Sequence, residues 1–145
     1  MPVIVEDLGG LSQEVFDLRD QFHLTGIRIL QFGFCYHPDN IYRPHNYVPN
    51  CVAYTGTHDN STTIGWWLQH ASDDEKQTFR DYVNASDHCD DDENEGVTIA
   101  HLNKHVNWHF IQMTMATVAD TAIIPFQDIL CLDHTARMND PSVGS

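Results

Sequence analysis

Residues 51–60 read CVAYTGTHDN, an apolar segment that runs directly into a polar one. The residue types at 51–55 favour a β-strand, and Gly56 followed by polar residues indicates that the strand ends there. A helical pattern that carries Ile64 and Trp66 comes next. This segment therefore predicts a strand, a polar loop and a helix in succession.

The same succession recurs along the chain, with short β-branched runs between longer helical patterns. This alternation is typical of parallel βαβ units and predicts an α/β fold. The predicted strands are residues 3–5, 27–34, 51–55 and 122–125. Four helices are predicted. The first is capped by Ser12 and ended by Thr25-Gly26, the second carries Ile64 to Leu68, and the others span residues 72–84 and 98–120. A short turn is predicted at residues 127–130.

Apolar positions at helical spacing predict which faces of these helices are buried. The helix after Ser12 is predicted to present Val15, Leu18 and Phe22. The long helix is predicted to bury Leu102, Val106, Phe110, Met113 and Val118. Ser72 and Glu75 predict a capping box, in which each satisfies the other's free amide, and residues 87–96 predict a solvated acidic loop.

The composition restricts the partners of the chain. Its 145 residues suit one domain. Seven Lys and Arg against 21 Asp and Glu give a net charge of −14 with His neutral, so we expect neither nucleic acid nor an anionic membrane surface as a partner. No apolar run approaches the roughly 20 residues of a membrane span, and the first residues lack the pattern of a signal peptide. We expect a soluble globular protein.

The cysteines and histidines form no convincing metal or redox motif. The four cysteines are widely spaced without a C-x-x-C pair, which favours free thiols. His101, His105 and His109 repeat at i, i+4 and i+8 and so share one face of a helix. Three ligands spread along one axis cannot all reach one ion, so we interpret this as a polar face, with an adjacent pair at most binding adventitiously. Neither a metal nor an organic cofactor is expected.

The carboxyl ends of the predicted strands carry Glu6-Asp7, the segment 31–34, His58-Asp59 and Gln127-Asp128. Chemistry in parallel α/β folds is placed at the carboxyl ends of the strands. A carboxylate at one strand end and a His-Asp pair at another would therefore converge on one face, although each alone is more typical of a helix cap or a turn.

Six short motifs together resemble one enzyme family. They are, in chain order, VEDLG (residues 5–9), IRILQF (27–32), PHNY (44–47), YTGTHDN (54–60), GWW (65–67) and ARMN (136–139). The set is similar to the carboxyl-terminal half of the 4-α-glucanotransferases, also called amylomaltases. This resemblance implies a partial (β/α)8 TIM barrel in which residues 1–145 supply strands 5–8 with their helices. A full barrel needs about 250 residues, so the resemblance also implies that the amino-terminal half is absent.

The resemblance implies chemical roles for three residues. Glu6 matches the general acid/base, Asp59 the carboxylate that stabilises the transition state, and His58 a partner of the sugar hydroxyls. The implied activity is transfer of α-1,4-glucan segments between maltooligosaccharides with retention. A general acid must be protonated when it donates to the departing oxygen, whereas the stabilising carboxylate must be ionised opposite an oxocarbenium-like state.

The resemblance also implies residues that bind the sugar chain. Asn139, in its Arg-Met-Asn setting, matches a residue that lines a glucose subsite. Candidate aromatic platforms for the acceptor sugar are Tyr47, Phe34 and Tyr36. Aromatic residues near strand ends are more often part of the core, so this alternative stays open for all three.

A retaining mechanism needs a second carboxylate as nucleophile. The resemblance places it at the end of the fourth strand, before Met1, and Asp133-His134 is better interpreted as a loop dipeptide. We therefore expect residues 1–145 to be inactive alone, with a non-catalytic α-glucan-binding remnant or one half of a split barrel as alternatives. Open strand edges would favour self-association. The expected compartment is the cytoplasm, or the plastid of a photosynthetic eukaryote.

Overall fold

The computed structural model describes residues 3–9, 12–35, 37, 39–86 and 97–141. The predicted acidic loop at residues 87–96 and Tyr36 lie outside these ranges. The strands are β1 (Gly26–Ile29), β2 (Cys51–Tyr54) and β3 (Thr121–Ile123). The helices are α1 (Gln13–Gln21), α2 (Thr63–Gly65, continued by a π-helical turn at Trp66–His70), α3 (Asp73–Ser86), α4 (Ile99–Met115) and α5 (Phe126–Ile129).

The three strands form one parallel sheet in the order β1-β2-β3. Its register pairs Ile27 with Val52 and Ala53 with Ala122. Parallel neighbours need crossover connections, and α2, α3 and α4 lie in the connection between β2 and β3. The prediction of an α/β fold with a parallel sheet is confirmed.

The first predicted strand, residues 3–5, joins this sheet at a single point. Ile4 forms an isolated parallel bridge with Thr25, and the amide of Val5 donates to the Thr25 carbonyl at 2.8 Å. Since Thr25 directly precedes β1, the segment lies along the outer edge of β1 and does not form a full strand.

The second predicted strand, residues 27–34, ends at Ile29, and Leu30–Phe32 turn as a short 3-10 helix. The buried side chain of Gln31 in this turn donates to the Ser61 carbonyl at 2.9 Å, which holds the turn against the loop before α2.

The fourth predicted strand, residues 122–125, is observed at Thr121–Ile123. Pro125 has no amide hydrogen for a strand ladder, and it stands instead at the N-cap of α5. The predicted turn after it is this helix, which spans Phe126–Ile129.

Helix α1 follows Ser12 as predicted, but its apolar side is not covered. Val15, Leu18 and Phe22 are 41%, 55% and 62% exposed, and α1 buries none of its residues. An apolar face of this kind is normally packed against another element. Together with exposed Val3 and Ile4, it forms an uncovered apolar surface beside the outer edge of β1.

Helix α4 supplies much of the core but is shorter than the predicted 98–120. Leu102, Val106 and Phe110 are fully buried, whereas Val118 lies beyond the helix and is 60% exposed. The helix ends at Met115 because the chain turns back towards the sheet, where the amide of Asp120 donates to the Pro49 carbonyl at 2.9 Å.

The predicted capping box at the start of α3 is confirmed. The Ser72 amide donates to Glu75 Oε2 at 2.8 Å, and the Glu75 amide donates to Ser72 Oγ at 3.2 Å. Two amides at the start of α3 are thereby satisfied. No helix in the described part of the chain is long and apolar enough to cross a membrane.

The main core is aromatic and lies among α2, α3 and α4. Phe34 packs edge-on against Phe79 with ring centroids 4.8 Å apart, and Phe79 lies 5.0 Å from Phe110. Trp67 is fully buried and joins the same cluster. Edge-to-face packing of this kind adds to the area-dependent stabilisation of the core.

A buried carboxylate joins four elements at the end of the sheet. Asp128 in α5 is 1% exposed. Its oxygens accept from Thr55 Oγ1 at 2.5 Å, from Thr63 N at 2.7 Å and from Thr63 Oγ1 at 2.8 Å. Asn107 of α4 donates to the Asp128 carbonyl at 2.9 Å. The carboxylate therefore fixes the residue after β2 and the start of α2 relative to α5.

We predict that Asp128→Ala lowers the free energy of unfolding by about 3 kcal/mol or more, because three buried donors lose their acceptor at about 1–3 kcal/mol each. Asp128→Asn, which keeps one acceptor oxygen, should cost about half as much. Urea unfolding followed by circular dichroism measures both. Asp133→Ala is the matched control, since Asp133 is exposed and the described donor to its carboxylate is Thr135. Equal destabilisation by Asp133→Ala and Asp128→Ala would contradict the prediction.

Candidate active site

An open cleft of about 520 Å³ lies at the carboxyl ends of the strands. Glu6 reaches it from the segment beside β1, and His58 reaches it from the loop after β2. Its walls are mainly apolar, from Ile4, Ile27, Tyr54, Ile123, Pro125 and Met138. The structure thus brings two of the predicted site residues, from distant parts of the chain, to one cleft.

Of the Glu6-Asp7 pair, only Glu6 is exposed to this cleft. Asp7 is 3% exposed and accepts from Ile27 N at 2.7 Å, from Arg19 Nη1 at 2.5 Å and from Arg28 Nη1 at 3.1 Å. These bonds hold Asp7 against β1 and leave the neighbouring Glu6 directed outward. Asp7 therefore serves as a buried anchor.

Gly26, the first residue of β1, makes this anchor possible. A Cβ atom at position 26 would lie 2.5 Å from Asp7 Oδ2, which is closer than side chains tolerate. The carboxylate can approach the strand only because position 26 has no side chain.

Asp59 is exposed and its carboxylate has two described neighbours. Asn139 Nδ2 donates to Asp59 Oδ1 at 2.5 Å, and His58 Nε2 lies 3.4 Å from the same oxygen. The Asn139 amide also donates to the His58 carbonyl at 3.1 Å. Three predicted site residues, His58, Asp59 and Asn139, are therefore in one hydrogen-bonded group.

Arg137 holds this group through the main chain. Its Nη2 donates to the Asp59 carbonyl at 2.9 Å, and its Nε donates to the Asn139 carbonyl at 2.7 Å. Its Nη1 also lies 3.7 Å from Asp140 Oδ1. The guanidinium thus joins the loop after β2 to the segment 137–140, which we call the strap.

The strap can approach α2 because of Gly65. A Cβ at position 65 would lie 2.7 Å from the Cα of His134 and 2.5 Å from Ser61 Oγ. His134 begins the short turn His134–Ala136 that leads into the strap. Close approach of two backbones is a common reason for glycine at such positions.

Tyr47 is placed away from this cleft. It is 7% exposed and packs with Cys51 and Ala53. With His45 and Tyr82 it lines a separate cleft of about 470 Å³. Burial raises the pKa of the Tyr47 hydroxyl, and this hydroxyl has no hydrogen-bond partner within the described ranges.

Phe34, the second aromatic candidate, is fully buried in the aromatic core. It contacts Phe79, Tyr82 and Phe110. The core interpretation that was open for this residue is therefore the correct one. Tyr36 lies outside the described residues.

A larger open cleft of about 1010 Å³ lies beside the first. Phe32, Tyr42 and Trp66 contribute its aromatic surface, and Gly9 and Gln31 also line it. Phe32 and Tyr42 meet edge-on with centroids 5.5 Å apart. It adjoins the Glu6 cleft through two lining residues, because a Cβ at Gly56 of that cleft would lie 2.7 Å from Nε2 of Gln31 in this one.

Comparison with known proteins identifies the family. A family model described as 4-alpha-glucanotransferase matches residues 1–145. The chain belongs to the 4-alpha-glucanotransferase family. It is 39% identical over 140 residues to a chloroplastic/amyloplastic 4-alpha-glucanotransferase of Oryza sativa, covering 97% of this chain and 21% of the relative. It is 40% identical over 143 residues to the 4-alpha-glucanotransferase of Thermus thermophilus, covering 97% and 26%.

Solved structures agree with this assignment. The amylomaltase of Streptococcus agalactiae, determined in complex with acarbose, matches with a TM-score of 0.80 and 29% identity over 100% of this chain and 26% of its own. The amylomaltase of Corynebacterium glutamicum matches with a TM-score of 0.63 over 98% of this chain and 23% of its own, and at 16% identity it supports the fold alone. The chain thus spans about a quarter of the length of these 4-alpha-glucanotransferase relatives.

Sequence reasoning did not identify two parts of the candidate site. Arg137 was quoted only as part of the ARMN motif, although its two donations lock Asn139 beside Asp59. The aromatic cleft formed by Phe32, Tyr42 and Trp66 was also missed, because Phe32 and Trp66 lie within a predicted strand and a predicted helix. The available signal was that residues 31–34 stand at the carboxyl end of a predicted strand.

We predict that Arg137→Met loosens the strap. Hydrogen exchange at the Asn139 amide, which donates to the His58 carbonyl, should become about tenfold faster, since two lost hydrogen bonds are worth about 1.4 kcal/mol together. Amide exchange followed by NMR measures this rate. Arg43→Met is the control, because Arg43 donates to the Gly33 carbonyl in another loop. An unchanged exchange rate in Arg137→Met would show that the strap holds without this side chain.

We predict that Tyr47→Phe increases the free energy of unfolding at neutral pH by up to about 1 kcal/mol, because it removes a buried hydroxyl that lacks a described partner. Tyr82→Phe is the contrast, since Tyr82 hydrogen-bonds His45 at 2.9 Å and its removal should destabilise. Urea unfolding distinguishes the two. Weaker binding of maltotriose by Tyr47→Phe, with stability unchanged, would instead identify Tyr47 as a sugar contact.

The pH dependence follows from the direction of the pKa shift. The folded-state pKa of Tyr47 lies above that of an unfolded tyrosine, about 10, because burial disfavours the phenolate. The part of the free energy of unfolding that comes from this raised pKa is therefore fully present below about pH 10. It is lost as the pH rises towards the folded-state pKa of Tyr47. Tyr47→Phe should lose less stability than the unmodified chain between neutral pH and pH 11.

Proposed function

We propose that the protein containing residues 1–145 transfers α-1,4-glucan segments between maltooligosaccharides with retention of configuration. In this proposal the chain supplies strands 5–8 of a (β/α)8 barrel, with β1, β2 and β3 as strands 6, 7 and 8 and residues 3–5 as strand 5. The main support is geometric. Glu6 and the His58-Asp59 loop, 52 positions apart in the sequence, meet at one strand-end cleft.

Glu6 is proposed as the general acid/base. Its exposure at the cleft wall leaves its carboxyl group able to reach a glycosidic oxygen. It would donate a proton to the departing sugar oxygen and later accept one from the hydroxyl of the acceptor sugar. The buried Asp7 anchor supports this role because it fixes the main chain on which Glu6 stands.

Asp59 is proposed as the carboxylate that stabilises the transition state. Its donor Asn139 and the Arg137 bond to its carbonyl hold it in place before substrate arrives. A negative group fixed in advance stabilises a developing oxocarbenium charge without reorganisation during the reaction. His58, exposed beside it, would bond to the sugar hydroxyls, and Asn139 would line the same glucose subsite.

The nucleophile is proposed to lie outside residues 1–145. Retaining enzymes place it about 5–5.5 Å from the acid/base. Asp133 is unsuited, because Thr135 donates twice to its Oδ1. The same bonds lower the pKa of Asp133. The relatives are about four times as long as this chain, so the remaining length can supply the nucleophile.

The acceptor sugar is proposed to bind in the aromatic cleft of Phe32, Tyr42 and Trp66. Transfer rather than hydrolysis requires that a sugar hydroxyl reaches the covalent intermediate before water does. Aromatic rings beside the Glu6 cleft would hold a glucose unit against its apolar face and exclude water. This surface replaces Tyr47 and Phe34, which are buried elsewhere.

The uncovered apolar surface of Val3, Ile4, Val15, Leu18 and Phe22 favours completion of the barrel by a further segment over a free-standing glucan-binding remnant. We propose that this segment is the part of the barrel that precedes residue 1, and that residues 1–145 self-associate without it. The proposed compartment is the bacterial cytoplasm or the plastid, as in the chloroplastic/amyloplastic relatives.

The proposal predicts that the protein with a complete barrel converts maltotriose into glucose and longer maltooligosaccharides. Glu6→Gln should lower kcat by about 10²–10⁴-fold, the range for loss of a general acid/base, and Asp59→Asn should lower it strongly without loss of folding. Chromatography of the products measures this. Glu14→Gln, on exposed α1, should leave kcat unchanged.

Residues 1–145 alone should bind maltooligosaccharides without forming products. Glucose release by the isolated chain would contradict the proposal that the nucleophile lies elsewhere. Glucan binding without turnover by the complete protein would favour the non-catalytic alternative.

A further inference from the structure

Helix α4 carries three histidines on the face opposite the core. Leu102, Val106 and Phe110 of this helix are fully buried, while His101 and His105 are exposed and His109 is half-buried. Residues four apart lie on one side of a helix, about 6 Å apart along its axis. None of these histidines takes part in the Glu6 cleft, the strap or the aromatic cleft.

The imidazole rings approach one another. The centroids of His101 and His105 are 4.7 Å apart with an interplanar angle of 42°, and those of His101 and His109 are 5.5 Å apart. The ring of His101 therefore lies within reach of both neighbours. Within the described ranges, no group of three or more His, Cys, Asp or Glu is placed to hold a metal ion, so only a site with two protein ligands is considered.

The His101–His105 spacing fits two ligands of one metal ion. A metal–nitrogen bond of about 2.0–2.1 Å plus the radius of the ring puts the centroid of a ligating imidazole about 3.2 Å from the metal. Two such ligands at about 90° to each other have centroids about 4.5 Å apart. The observed 4.7 Å is close to this value, so the two rings are spaced as two ligands of one ion would be.

The chemistry of the pair selects the type of ion. Neutral imidazole suits Cu²⁺, Ni²⁺ and Zn²⁺, whereas Ca²⁺ and Mg²⁺ prefer oxygen ligands. The net charge of −14 favours the approach of cations in general. Lys104 is a nearby positive group on α4 and disfavours a bound cation. Ligation by two imidazoles, from His101 and His105, offsets this repulsion.

We propose that His101 and His105 chelate one first-row divalent metal ion, with Cu²⁺ bound more tightly than Ni²⁺ or Zn²⁺ and water completing the coordination. This two-histidine site links successive turns of α4 and is separate from the proposed glucan chemistry. Its success or failure is therefore independent of the transferase proposal.

The test is calorimetric titration of the untagged chain with Ni²⁺ and with Cu²⁺. One ion should bind per chain, and His101→Gln and His105→Gln should each weaken binding at least tenfold. His109→Gln should weaken it less than threefold. His70→Gln is the matched control, since His70 is exposed at the end of α2, and it should leave the affinity unchanged.

A second measurement separates chelation from loss of folding. A metal that binds only the folded helix raises the melting temperature as its concentration rises. Ni²⁺ should therefore raise the Tm of the unmodified chain and of His70→Gln, but not that of His105→Gln, whose circular dichroism should match the unmodified chain. Unchanged affinity in His101→Gln or His105→Gln, or an equal loss in His70→Gln, would overturn the proposal.

Discussion

The Asp128 carboxylate is the interaction on which the arrangement of the site depends. Its two Thr partners stand at the two ends of the loop that carries His58 and Asp59: Thr55 precedes the loop and Thr63 follows it. A single buried group therefore closes this loop and ties it to the segment after β3. Burying a carboxylate is costly unless its oxygens are satisfied, and here both accept hydrogen bonds.

A second buried carboxylate performs the corresponding task at the other side of the cleft. Asp7 joins the residues beside β1 to Arg19 of α1 and Arg28 of β1, just as Asp128 joins β2 to α5. Buried Asp7 is adjacent in sequence to exposed Glu6, and buried Asp128 closes the loop that carries exposed Asp59. Asp7 and Asp128 thus hold the main chain in place, while Glu6 and Asp59, which that main chain carries, remain accessible.

Local patterns were enough to predict much of the fold. The capping box of Ser72 and Glu75, most of the strand predicted at residues 51–55 and the burial of Leu102, Val106 and Phe110 all depend on residues close in sequence, and each is confirmed. The convergence of Glu6 and His58 also followed from a simple rule, because parallel strands end on the same side of a sheet. What stays a proposal is the chemistry of these residues.

The features that sequence did not predict depend on distant partners. Gln31 bonds to Ser61, 30 positions away, and Asp128 resembles an ordinary turn acid until Thr55, 73 positions away, and Thr63 are seen to converge on it. The cluster that contains Tyr47 also packs against Ala119. No periodicity within one segment records such contacts.

Gly65 has no room for even one additional carbon atom. It lies in α2, away from the cleft lining, and its lack of a side chain decides how closely the segment leading to Arg137 and Asn139 can approach. A methyl group at position 65 would push that segment outward. The side-chain amide of Asn139, which donates to Asp59, would move with it. The shape of the proposed sugar-binding surface therefore depends partly on a residue that does not line the cleft, and substitution at a distance from the cleft is as constrained as substitution within it.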